Sequence, residues 1–293
     1  MESRVCIILV NYNTYEDTVE CIDSLSSIQY DNYKIIVVDN DSNDREKFEQ
    51  LLNINRSVDF IFASNNGGFS YGNNVGIKFA ERKYKPDFFL LLNNDTIVEH
   101  DFLTKLVDAA SLNRDNFGMA TGRICYYSDH SKIDFRGGDF DEKRGIALYR
   151  KIADEPESDI VRITFATGCL LLIHRNTIKR VGLLDEAYFM YGEDTDYTCR
   201  VIKNGLDVLY CDDAVVYHKI SASCGINTHF NQYYMERNDL INIKKYSNSI
   251  LFSYIYNMKR CIMDIILNKR NIKPIIRAWK DFLLRKKGKS EYY

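Results

Sequence analysis

The chain has 293 residues, of which 45% are hydrophobic and 27% charged, with a net charge of −2. These are ordinary globular values that make a sizeable core available, in one large α/β domain or two smaller ones. No apolar run approaches the roughly 20 residues of a membrane span. The charge is unevenly spread: Lys259–Lys289 holds 11 Lys/Arg against Asp264 and Asp281, a local +9 that leaves −11 for the rest. Such asymmetry points to a basic tail that meets an anionic surface. Eight cysteines are scattered singly, with no C-x-x-C and no metal-ligand spacing, which suits a reducing cytoplasm. The N-terminus enters a strand pattern at once (RVCIILVN), so no signal peptide is expected.

In chain order, residues 4–10 read as a buried strand ending at Asn11-Tyr12-Asn13. A helix follows from Thr14 as N-cap to Leu25, with Val19, Ile22 and Leu25 on its apolar face. KIIVV (34–38) is a second strand, closed by Asp39-Asn40-Asp41-Ser42. Another helix starts near Asn43, and VDFIFA (58–63) is a third strand. A Gly/Asn-rich turn then enters a helix near Ser70, and FFLLL (88–92) is a fourth strand, followed by Asn93, Asn94 and Asp95. The pattern β-α-β-α-β-α-β predicts a doubly wound, mostly parallel sheet.

The second half is less regular. Residues 117–127 and 161–173 read as strands, the latter containing the turn Thr167-Gly168. Tyr188, Phe189 and Tyr191 form an aromatic wall before Gly192. Glu193, Asp194 and Asp196 then open a helix that Gly205 ends. LDVLYCDDAVVYHK (206–219) reads as strand, turn, strand, with His218 at the end. From Asn231 the chain is helical and basic. Ile255, Met258, Ile262, Ile265 and Ile266 fit one apolar face. After Pro274 as a first helical residue, Ile275, Ile276, Trp279, Phe282 and Leu283 fit another. A basic amphipathic segment of this kind suits a membrane surface; packing on the rest of the protein is the competing reading. Nucleic acid is not expected, because the basic residues are confined to one end without an interleaved aromatic platform.

The ends of the early strands share one chemistry: Asn11, Asp39 with Asp41, Asn65 with Asn66, and Asn93 to Asp95. In open α/β sheets ligands bind beyond such strand ends. A polar crevice there offers acceptors for a nucleoside and a carboxylate, Asp95, for a hard divalent cation. The glycines at 67, 68, 72 and 76 form neither G-x-G-x-x-G nor a Walker loop, so a dinucleotide or ATP is not supported. Acidic residues in a first helical turn favour the helix dipole. Three carboxylates in four residues exceed what capping requires, and paired carboxylates raise one another's pKa, which suits a general base. His218 ends a strand as Asp95 does, and imidazole is a common metal ligand.

VNYN (10–13), VVDNDS (37–42), NNGGFSYGNNVGI (65–77), LLLNNDT (90–96), TGCLLLIHR (167–175), FMYGEDTDYTCR (189–200) and VYHKISAS (216–223) together resemble family 2 inverting glycosyltransferases of the GT-A fold. More narrowly, the chain looks like the bacterial rhamnosyltransferase-type members that build surface polysaccharides. The resemblance covers residues 4–240, and implies a GT-A domain over 1–240 with a basic helical segment over 241–293. It implies donor contacts at Asn11, Asp39, Asp41, Asn66, Asn74, Asn93, Asn94 and Asp95, with Asn93-Asn94-Asp95 in place of the usual D-x-D. Asp95 and His218 would hold Mn²⁺ or Mg²⁺, and Asp194 would be the base, with Glu193 and Asp196 beside it. Thr167, Gly168 and Tyr191 would meet the acceptor.

The function implied is transfer of a sugar, rhamnose from its dTDP donor in the first instance, to a polysaccharide or lipid-linked glycan at the cytoplasmic face of the inner membrane. A UDP-hexose or galactofuranose donor fits the same scaffold. A sugar nucleotidyltransferase fits less well, because the first strand ends in VNYNTYED, with no glycine and no Lys/Arg to grip a triphosphate. An inactive binding partner would have no need of the E-D-x-D carboxylates and His218. Whether the tail meets lipid or a second copy in a homodimer is left open by the sequence.

Overall fold

The computed structural model describes residues 2–54, 58–113, 115–151, 159–219 and 228–293. Strand and helix alternate through β1 (Val5–Asn11), α1 (Tyr15–Leu25), β2 (Tyr33–Asp39), α2 (Arg45–Ile54), β3 (Val58–Phe62), α3 (Gly68–Lys83) and β4 (Phe88–Leu92). There follow β5 (Thr96–Val98), α4 (Phe102–Leu112), β6 (Phe117–Tyr126), β7 (Asp129–Phe135), β8 (Gly138–Asp141), β9 (Ile146–Tyr149), β10 (Ile160–Arg162) and β11 (Leu170–His174). The chain continues through α5 (Arg175–Val181), α6 (Glu193–Lys203), β12 (Asp207–His218), α7 (His229–Tyr246), α8 (Ile250–Ile266) and α9 (Ile272–Leu283).

The main sheet runs β10-β12-β6-β11-β4-β1-β2-β3, with β5 added on β12 and β7 on β6. Its β4-β1-β2-β3 half is parallel, as the βαβ pattern requires. Beyond it β11 lies antiparallel to both β4 and β6, so the sheet as a whole is mixed. Val5 to Leu9 and Leu90 to Leu91 are buried throughout, which is why these strands read as unbroken apolar runs and not as alternating ones. A Cβ at Gly72 or Gly76 would lie 2.6 or 2.5 Å from the side chains of Val10 or Ile8. The glycines let α3 lie close over β1. All seven cysteines among the described residues are buried and free, as small hydrophobes.

Three local expectations change. Residues 161–173 are not one strand: β10 pairs with β12 at the sheet edge, and β11 lies between β4 and β6. The intervening residues carry the chain from the edge to the middle. Within 206–219 there is one strand, β12, whose register on β6 slips between Cys211 and Val215. A bulge there replaces the expected turn. Pro274 is the third residue of α9, not its first, and at that place its missing N–H leaves no intrahelical bond unmade.

The apolar face expected on α9 is split. Ile275 and Ala278 are buried, whereas Ile276 and Leu283 are 59% and 71% exposed. The boundary expected at residue 240 falls inside α7. The residues 220–223 of the VYHKISAS motif lie outside the described residues. Among the described residues no helix is long and apolar enough to cross a membrane.

Candidate active site

The parallel register sets Asn11 of β1 beside Asp39 of β2. Asn11 is fully buried and fully used: its Nδ2 donates to Asp39 Oδ1 at 2.9 Å and to Ser42 Oγ at 3.2 Å. Its Oδ1 accepts from the Thr14 N–H and from the Thr14 and Thr18 hydroxyls. Asn11 therefore aims Asp39 and has no group left for a ligand. Asp39 also accepts from the Ser42 hydroxyl and N–H, yet a carboxylate has about four acceptor positions and can take a further donor. Asp41 is exposed, with φ at +62°, and presents its carboxylate at the strand end.

Asn66 Oδ1 accepts from Asn40 Nδ2 at 3.1 Å and from the Gly68 N–H at 3.0 Å, shaping the turn into α3. Asn94 donates to the Thr14 and Thr18 hydroxyls, both at 2.7 Å, so it braces α1 against the end of β4. Asn74 is turned elsewhere. Its amide pairs with both the N–H and the C=O of Leu184, at 3.1 and 2.9 Å, as a second peptide group would. It is 1% exposed. Its expected donor contact is thereby corrected to a clamp on the loop after α5.

Asp95 and His218 come together from β4's end and β12's end, with His218 Nε2 3.1 Å from Asp95 Oδ1 and 3.2 Å from Asn93 Nδ2. Burial works to depress the imidazole pKa, but Cys169 and Asp95 outweigh it and raise it to about 11. A divalent cation binding here would take the place of that proton. Among the described residues no cluster of three or more His, Cys, Asp or Glu is present that could enclose a metal alone. The donor set nonetheless fits Mg²⁺ or Mn²⁺ in a substrate site, where one or two protein ligands are completed by phosphate oxygens and water.

Asp194 lies at the start of α6. The Gly168 N–H donates to its Oδ2 at 3.1 Å and the Thr195 N–H to its Oδ1 at 2.7 Å. Glu193 precedes it, 5% exposed, and its Oε2 has no hydrogen-bond partner among the described residues. Burial, reinforced by the Asp194 charge, lifts the Glu193 pKa to about 8. Burial raises Asp194 as well, against the pull of its backbone hydrogen bonds. The pair is thus suited to hold one proton near neutral pH.

A consequence for stability can be measured. Because folded Glu193 holds its proton up to about pH 8 and an unfolded Glu releases it near 4.5, the folded state binds more protons between those values. Stability from this group is present below pH 4.5 and is lost as pH rises through that window. Glu193→Gln is expected to flatten the decline, its melting temperature gaining on the wild type steadily from pH 5 to pH 8. Parallel pH profiles for the two proteins would refute this.

Asp196 is not part of that pair. It is fully buried, bonded to Arg200 Nε and Lys245 Nζ, both at 2.8 Å, and to the Tyr246 hydroxyl. Its carboxylate ties α6 to α7, which corrects its expected place beside the base. The aromatic wall is corrected too: Tyr188 and Phe189 are buried. The Tyr188 hydroxyl donates to Asn242, and Phe189 packs with Tyr233 and Tyr234 of α7. Tyr191 is half-buried at φ +66°, and Thr167 is half-buried beside Gly168.

Two supports went unread in the sequence. Asn238 donates to the Met190 and Tyr191 carbonyls at 2.9 and 2.7 Å, and Asn242 to the Gly192 carbonyl at 2.9 Å. One face of α7 therefore fixes the loop that presents Glu193 and Asp194. Two asparagines four residues apart, on one face of the helix, are the signal that could have found them. The second is Cys169, whose carbonyl accepts from the Asn93 N–H at 2.9 Å.

Comparison with known proteins places this architecture in a class. The chain superposes on the crystal structure of GalNAc-T7 with UDP, GalNAc and Mn²⁺ at a TM-score of 0.69, with 14% identity, covering 96% of this chain and 55% of that one. The fold is that of the GT-A glycosyltransferases. The chain belongs to glycosyl transferase family 2, whose model matches residues 6–182. It is 27% identical over 218 residues to rhamnosyltransferase WbbL of Escherichia coli (strain K12), covering 70% of this chain and 80% of that protein. Over 284 residues it is 23% identical to dTDP-rhamnosyl transferase RfbF of Shigella flexneri, 93% of this chain and 92% of that protein. It is a glycosyltransferase, similar to bacterial rhamnosyltransferases.

Proposed function

We propose that the chain is an inverting, divalent-metal-dependent hexosyltransferase that moves rhamnose from dTDP-rhamnose to a polysaccharide or lipid-linked glycan. One observation carries the mechanism. Two consecutive residues reach both halves of the site: the Gly168 N–H bonds to Asp194, and the Cys169 carbonyl accepts from the N–H of Asn93, whose side chain lies 3.2 Å from His218 Nε2. Neighbouring Cα atoms are about 3.8 Å apart, so Asp194 and the Asn93–His218 contact are anchored to adjacent residues of the chain.

Asp39 and Asp41 offer acceptors to the nucleoside. Asp95 and His218 would hold Mn²⁺ or Mg²⁺. Such a cation, when bound, neutralises charge on the departing nucleoside diphosphate, so that the leaving group needs no proton. Asp194 takes the proton from the acceptor hydroxyl as that oxygen attacks the anomeric carbon from the opposite side, inverting it. Glu193, its buried neighbour in the chain, holds its proton up to about pH 8; burial raises the basicity of Asp194 itself. The rhamnose assignment is supported by the similarity to the two bacterial rhamnosyltransferases, and the metal by the Mn²⁺ of the GalNAc-T7 structure.

Thermal unfolding against a panel of nucleotide sugars, with and without Mn²⁺, tests this reading. A donor at 100 times its Kd stabilises the native state by about 2.7 kcal/mol. The expected result is a metal-dependent rise with dTDP-rhamnose that Asp95→Ala removes. A UDP-sugar acting instead would keep the mechanism and discard rhamnose. Stabilisation by nucleoside triphosphates alone would overturn the transferase reading.

A further inference from the structure

The last two helices are amphipathic with their apolar faces turned outward. Of the 19 large hydrophobic side chains exposed among the described residues, 13 fall between Ile250 and Leu284. On α8 the face that packs inward is small and polar. Ser253, Asn257 and Cys261 are buried and bond to Lys143, Ser249 and Glu236. On the opposite side Leu251, Ile255, Met258, Ile262 and Ile266 form one stripe, each 40–74% exposed. The outer face of α9 continues the arrangement with Ile272, Ile276 and Leu283, 54–71% exposed, while Pro274, Ile275 and Ala278 are buried. The two helices meet through Tyr254 of α8, whose ring lies 6.3 Å from Trp279 and 5.8 Å from Phe282.

An exposed apolar face of this extent marks an interaction surface. Its surroundings identify the partner. Lys259, Lys273 and Lys280 are exposed along the same two helices, Lys269 is exposed between them, and Arg285 to Lys287 follow α9. Such residues can lay their methylene stems along apolar surface and hold their charges beyond it. A second copy would bring two segments of net charge +9 together; an anionic surface would neutralise them. We propose that the outward face of α8 and α9 docks on a membrane surface rich in anionic lipid, lying in the interface and not crossing it.

The docked face is coupled to the active site. Glu236 of α7 accepts from Asn257 of α8, and from Arg270 and Trp279 on the α9 side, and the same α7 holds the Met190–Gly192 carbonyls through Asn238 and Asn242. Docking would therefore fix the orientation of the crevice relative to the membrane. That arrangement suits an acceptor presented at a lipid surface, but the docking itself does not depend on which sugar is transferred.

Vesicle co-sedimentation of the full chain tests the proposal, with phosphatidylcholine alone and with phosphatidylcholine containing phosphatidylglycerol. The wild type is expected to sediment with the anionic vesicles, to do so less as salt is raised, and to stay in solution with the neutral ones. The triple variant Ile255→Glu, Ile262→Glu, Ile266→Glu should lose sedimentation while keeping its thermal unfolding transition, since all three side chains face outward. Lys259→Ala and Lys273→Ala should each weaken partitioning about fivefold. A wild type that stays in the supernatant with both vesicles, or a triple variant that sediments unchanged, would overturn the proposal. So would a stable wild-type dimer in light scattering that the triple variant splits, since the face would then be an interface between copies.

Discussion

Asp194→Asn is expected to slow glycosyl transfer about 10²-fold or more while donor binding is retained. The side chain is held by the Gly168 and Thr195 N–H groups, contacts that fix the carboxylate without neutralising it. Asparagine is nearly isosteric and keeps one acceptor, so the loss of one of these hydrogen bonds should cost only about 1 kcal/mol of stability. In the proposed mechanism, what the substitution removes is the base. Turnover assays paired with calorimetric titration of the donor separate the two effects. A variant that transfers at near wild-type rate would move the base to Glu193, because both oxygens of Asp196 are committed to Arg200, Lys245 and Tyr246.

Gly68→Ala is expected to damage both stability and turnover. Gly68 has φ at +86°, and an added Cβ would lie 1.9 Å from the Phe189 carbonyl oxygen. The same carbonyl accepts from the Phe69 N–H at 2.9 Å, so the start of α3 is locked to the loop that leads into Glu193 and Asp194. Alanine brings backbone strain of ~1–3 kcal/mol and overpacking of a further ~1–3 kcal/mol, a combined loss of roughly 2–6 kcal/mol. Relief requires the 189–192 loop to move, and the carboxylates with it. Gly205→Ala is the control: its φ is also positive, at +71°, but nothing lies within 4 Å of the added Cβ. It should cost about 1–2 kcal/mol and leave turnover intact. Equal loss of activity in both variants would show that the Gly68 effect is general destabilisation.

The sequence by itself determined the parallel half of the sheet and its polar edge. Buried strands demand apolar runs, and a chain leaving such a strand must satisfy its freed backbone groups at once. KIIVV followed by Asp39, and FFLLL followed by Asn93 to Asp95, therefore mark both the strands and the edge at which ligands bind. The E-D pair at the start of α6 was legible for a similar reason: carboxylates in a first helical turn exceed what capping needs. Local periodicity carries such information because it depends on residues a few positions apart.

Only the tertiary structure decided how those polar groups divide their work. Asn11, Asn74, Asn94 and Asp196 look in sequence like Asp39, Asp41, Asp95 and Asp194. Asp95 and Asp194 also bond across the chain, to His218 and Gly168; Asn74 and Asp196 differ in being 1% and 0% exposed against their partners. Leu184 claims Asn74 across 110 residues, and Lys245 and Tyr246 claim Asp196 across about 50. The outward turn of α8 was decided in the same way. Its apolar stripe would ordinarily be read as a core face, but the buried Glu236 selects the opposite, polar face because a buried carboxylate must find donors. Hydrogen-bond partners that distant in sequence leave no periodic trace, and there the fold alone shows which polar side chains are buried in structural contacts.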